Sequence, residues 1–209
     1  MLANLLAEIA CAHAAPGGAA WFAAQRDFAP AFAAAGRKLG TAPIAERDAA
    51  AITAAGLRWP VTGADECGRA ALVLREIASR PAEDHVALVG QVLRRGEVGE
   101  RRAMLRTLAA LPDPARFVEV AIDAGHRSNI ESVFAALACD NAFVRLLPEA
   151  AFDQLVLKAL FVGVPVARIA GLAERTTPEL VRMVHAYASE RRAAGRSVPA
   201  DAELITRSP

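Results

Sequence analysis

Lysine is almost missing from this 209-residue chain: of its 24 basic residues, only Lys38 and Lys158 are lysines. Charge of one sign is also missing. The basic residues face 23 acidic ones, and the net charge is +1. No broad positive field is available to hold a phosphate backbone, so nucleic acid is not an expected partner. Cysteine is sparse. Cys11, Cys67 and Cys139 are odd in number and widely spaced, with no CxxC pair. That excludes a disulfide scaffold and a sequence-coded zinc site, and predicts three free thiols in a reducing cytoplasm. Long apolar runs are lacking as well. None reaches the roughly 18 uncharged residues a membrane span needs. The nearest, Ala159 to Ala170, contains Pro165 and Arg168, so an integral membrane protein is not expected. The apolar start, Leu2 to Ala12, has no positive residue ahead of it and is interrupted by Glu8. It reads as a first amphipathic helix over 2–14 and not as a signal peptide. Finally, GxxxxGK[ST], GxGxxG, HExxH and GxSxG are all absent, and His13, His85, His126 and His185 lie too far apart to pair on one helix. No cofactor, metal or catalytic residue is expected from motif content.

Alanine dominates what is there. Fifty of the 209 residues are alanine, the strongest helix former, and alternating strand-like runs are rare. Helix punctuation recurs. Thr62 can cap a helix through Ser79. Pro81 can open one that Gly96 ends, and Glu97 to Ala110 supplies the next. Asp113-Pro114 reads as a cap with proline at the first helical position, and Gly125 as the stop. Ser128 and Glu131 fit a capping box. A helix apolar nearly all round runs from Pro148 to Gly163, and Thr177-Pro178 caps the last long one. Helix starts mostly fall 15 to 20 residues apart. The expected fold is therefore all-α: antiparallel helical hairpins stacked as a short α-solenoid of the HEAT or TPR kind, with a closed helical bundle as the alternative. The expected organisation is one helical domain over 1–195, with less regular helices over 1–60 and a hairpin array over 61–195, followed by a polar tail over 196–209 that frays.

Two polar features stand out. The run Gly125-His126-Arg127-Ser128-Asn129 crosses a helix-to-helix turn, where a helix N-terminus beside Arg127 suits a carboxylate or phosphate; ordinary capping explains the same residues. Lys158 is the only charge between Asp153 and Arg168. It could hold an anion or act as a nucleophile, or it could snorkel or end a helix. Asn141 lies where it could add an acceptor near Lys158, or make an Asx turn after a helix stop. Trp21, Phe22, Phe28 and Phe32 recur at helical spacing and read as core, or as a partner patch if exposed together.

The stretch from residue 127 onward resembles a known family. Arg127-Ser-Asn129, Ser132-Val-Phe134, Asn141, and Phe152-Asp-Gln154-Leu-Val-Leu-Lys158-Ala-Leu-Phe161-Val-Gly163 are similar to the EboA family. So are Arg168-Ile-Ala-Gly171-Leu, Pro178-Glu179-Leu-Val-Arg182-Met and the segment from Tyr187 to Gly195. Ala142-Phe143-Val144 departs where an aromatic–proline pair is expected, and Ser189 and Arg192 stand where His and Trp are expected. The resemblance implies a protein encoded with a UbiA-type membrane prenyltransferase and other enzymes, in clusters that move a biosynthetic precursor across the inner membrane. It supplies no catalytic residue. The expectation is a non-enzymatic binding or adaptor protein, cytoplasmic or peripheral at the inner membrane, whose partner is a co-encoded protein or a small anionic metabolite. Arg127, Asn129, Asn141, Gln154 and Lys158 are its candidate ligand residues. The alternative is an enzyme of uncharacterised type using Lys158 in an anion pocket.

Overall fold

The computed structural model describes residues 1–57 and 63–206. Among them it holds thirteen α-helices and five short 3-10 segments, with no strand. The all-α class expected from alanine content and capping residues is what the chain adopts. Two compact units divide it, Met1–Ala124 and Gly125–Pro209. The division falls inside a helix, not at the change in composition near residue 60.

The first unit contains α1 (Leu2–Ala12), α2 (Gly18–Ala23), α3 (Phe28–Leu39), α4 (Glu46–Ala54), α5 (Ala64–Ser79), α6 (His85–Arg95) and α7 (Val98–Thr107), and ends within α8 (Val118–Arg127). α5 is its axis. Eleven of its sixteen residues are buried, and it packs on α1, α3 and α7. Small side chains permit this close approach: a Cβ on Gly68 would collide with Leu39. The expected cap Thr62 lies outside the described residues. α7 starts on a capping box that sequence reading passed over. The Glu97 side chain accepts from the third helical amide, and Glu100 Oε2 accepts from the Glu97 N–H at 2.7 Å.

The second unit contains α9 (Glu131–Ala138), α10 (Glu149–Val162), α11 (Leu172–Arg175), α12 (Pro178–Ala193) and α13 (Ala202–Thr206). Punctuation holds at several ends. Gly163 closes α10 at φ 85°, and the Thr177 hydroxyl accepts from the Leu180 N–H at 3.1 Å to open α12. Three readings need correction. α8 runs through Gly125 to Arg127 instead of stopping at the glycine, because its last carbonyls find another donor, described below. Ser128 caps nothing: Ile130 is the residue before α9, and the serine turns inward, 4% exposed, with its hydroxyl unpartnered among the described residues. Within the segment expected to fray, the described residues form α13, which packs on α12 and buries Ala202 and Ile205; two apolar anchors suffice to order a five-residue helix against a neighbour.

Candidate functional site

Lys158 projects from α10 onto the end of α8. Its ammonium donates to the carbonyls of Gly125 at 2.8 Å and His126 at 2.7 Å, and lies 5.6 Å from the centre of the Phe134 ring. Carbonyls in the last turn of a helix have no amide ahead to accept from, and a cation there also complements the helix dipole. Burial lowers the pKa of Lys158 from its ordinary value.

Lys158 therefore reaches the turn that carries Arg127. Arg127 and Asn129 are exposed beside it, and Gln154, one turn earlier on α10, is exposed too. Asn141 stands apart. It follows the C-terminal end of α9, whereas Arg127 and Asn129 precede its start, and eight helical residues span about 12 Å. Asn141 is 4% exposed. Its amide donates to the Ala136 carbonyl at 3.0 Å, and its oxygen accepts from the Phe143 N–H at 3.1 Å. Nearby polar residues also serve the fold. Asp140 accepts from Arg168 Nε at 2.8 Å. Arg175 lies 4.0 Å from the Phe152 ring centre and donates to the Val144 and Leu147 carbonyls at 3.1 and 2.7 Å.

The first unit holds what sequence reading missed. Asp65, Glu66 and Arg69 on α5 are buried at 7%, 2% and 5% exposure. Arg69 donates to Asp65 at 2.6 Å and to the Phe32 carbonyl at 3.0 Å. Its guanidinium fits because glycines flank it: a Cβ on Gly36 of α3 or Gly99 of α7 would lie 3.1 Å from its nitrogens. Glu66 bridges to α7, pairing with Arg102 at 2.7 Å and with Arg106. Burial pushes the Glu66 carboxyl above its usual range even against those two guanidinium groups. The same burial, with Glu66 and Asp65 adjacent, pushes the Cys67 thiol up to about 12. The available signal was the Asp65–Arg69 spacing of four, favourable on any helix and therefore silent about burial.

Beside this cluster the first unit opens a cleft of about 670 Å³, within the usual size of small-molecule sites. One wall is the start of α3, where Phe28 and Phe32 stack with ring centres 5.1 Å apart. Phe32 is buried and Phe28 half-buried, so Phe28 presents the aromatic surface. The lining also takes in one stripe of α6 and the residue before it: Asp84, Ala87, Leu88, Gln91, Val92 and Arg95. Those spacings of three and four place all six on a single helical face. Several charges at the rim are already engaged. Arg80 pairs with Glu76 at 2.6 Å, and Arg26 donates to the Ala23 and Gln25 carbonyls at 2.9 Å each. Asp27, Asp84 and Arg95 have no ion pair or side-chain hydrogen bond among the described residues. None of the five residues singled out from the sequence lines this cleft.

Among the described residues no group of three or more His, Cys, Asp or Glu could hold a metal ion, and no helix is long and apolar enough to cross a membrane. Comparison with curated proteins and with solved structures found no match in either. The family described as metabolite traffic protein EboA matches residues 19–205, a span that includes the cleft, the buried charge cluster and the Lys158 contact, and the chain belongs to that family.

Proposed function

We propose that this chain is a non-enzymatic metabolite-binding protein that holds a small molecule reversibly in the cleft between α3 and α6. The observation that carries the reading is the pairing of an accessible aromatic face, Phe28, with a helical stripe whose charged ends, Asp84 and Arg95, are unengaged. The cleft has the usual size of a small-ligand site, and eight of its sixteen lining residues are charged or polar, which suits a polar ligand. The family description, metabolite traffic, agrees with binding and release without conversion. The protein would act in the cytoplasm or peripherally at the inner membrane, passing its ligand to co-encoded partners.

Protein purified from native extract tests this. Native mass spectrometry should find a bound small molecule on the wild type. Ala87→Trp, which places an indole in the cleft from an exposed position of α6, should lose it at an unchanged melting temperature. Equal loading of both proteins would overturn the cleft reading.

The enzymatic alternative draws on the burial that lowers the Lys158 pKa. Two carbonyl acceptors on the same ammonium favour its charged form and support a helix-ending role. Borohydride treatment in the presence of the extract carbonyl fraction should leave Lys158 unmodified; a reduced adduct there would restore that alternative, along with an anion subsite at Arg127.

A further inference from the structure

Resting on the cleft reading above, the geometry points to a ligand class: we infer that the cleft takes an elongated aromatic zwitterion, with its planar body on Phe28, its cationic end at Asp84 and its anionic end at Arg95.

The polarity of the α6 stripe carries this. Its order is acid, apolar, amide, apolar, base: Asp84, then Ala87 and Leu88, Gln91, Val92, and Arg95. The chain from 84 to 95 rises about 16 Å along the helix. Helical side chains lean toward the N-terminus, so both groups shift the same way and the longer Arg95 shifts further. Allowing for that difference, about 12 Å separates the two charged groups, roughly the length of three to four extended residues. A ligand with both charges on one carbon spans too little, and a compact polyanion meets Asp84 and Asp27 as well as Arg95. Of the other charges at the rim, Arg80 pairs with Glu76, Arg26 stays cationic but is turned to backbone carbonyls, and the Glu100 carboxylate stays anionic while accepting from the Glu97 N–H. Between the ends, Leu88 and Val92 line the same cleft as the half-buried Phe28, and Gln91 offers one donor and one acceptor to a linking amide.

The tripeptide Gly-Trp-Gly is the probe, with its N-acetyl, C-amide and doubly capped forms. These present zwitterion, anion, cation and neutral molecule on one aromatic body. Isothermal titration should rank the zwitterion at least ten-fold tighter than either singly capped form. Arg95→Gln should abolish the advantage of a free carboxylate while keeping that of a free ammonium, and Asp84→Asn should do the reverse. Both positions are exposed, so both variants should keep the wild-type melting temperature. Four forms binding alike, with all binding lost in Phe28→Ala, would overturn the charge assignment and leave the cleft reading standing. No binding by any form would also overturn it. If wild-type protein carries nothing from extract either, the cleft reading falls with it.

Discussion

The two units bury polar groups in opposite ways. In the first, Asp65, Glu66 and Arg69 on α5 face Arg102 and Arg106 on α7, and charge is neutralised by charge in the interior. In the second, polar side chains serve backbone that helices leave unsatisfied: Lys158 ends α8, Asn141 holds the turn after α9, and Arg175 takes two carbonyls. The lesson concerns where free polar groups remain. Side chains consumed by helix ends have little left for a ligand. Internal ion pairing keeps the first unit's helices together without drawing on the cleft rim, so Asp84 and Arg95 stay available.

The comparison breaks most sharply at Glu66. Glu66→Gln leaves two arginines without their buried counter-ion, and should cost about 3–5 kcal/mol in urea unfolding. The exposed pair in the second unit, tested by Asp140→Asn against Arg168, should cost under about 1 kcal/mol. Similar losses would show that the buried cluster is not special. Next in size is Lys158→Met. Removing the donor to two α8 carbonyls should cost about 1–3 kcal/mol while leaving occupancy of the cleft unchanged, so a large binding defect would contradict the separation of roles.

Acidity sharpens the contrast within the second unit. Burial raises the Asp153 pKa, with Glu149 adding and Arg175 opposing. The folded chain then binds a proton more readily than the unfolded one, whose carboxyl titrates near about 3.9. Stability from this group falls as pH rises through the raised value and is recovered on acidification. Asp153→Asn should therefore gain most over wild type near neutral pH, and the gain should shrink as pH falls toward 4; a pH-independent difference would exclude a titrating Asp153. The smallest effect is at the thiols. Cys11 is the partly exposed one, and Cys67 and Cys139 are buried. Iodoacetamide should modify Cys11 first, and Cys67, raised to about 12, only after unfolding, as read by intact mass.

Much of the architecture was legible because helix formation is local. Alanine content, Pro178 after Thr177 and the left-handed Gly163 act within a few residues of themselves, and each appears where sequence reading put it. Legibility failed where a local signal had a tertiary competitor. Gly125 did not stop α8, since Lys158 from another helix satisfied its carbonyl, and Ser128 was drawn inward from its capping position. Phe28 and Phe32 were visible as a helical pair, but not as lining of one cleft with α6.

Chemistry within one turn of backbone is written in the order of residues, so the all-α class and many of the helix ends were decided there. Which charges enter the interior was not. Asp65, Glu66 and Arg69 would suit a solvated face equally well, and only packing against Phe32, Arg102 and Arg106 makes their burial tolerable. Desolvation depends on what stands opposite a side chain, and that is a property of the folded molecule alone.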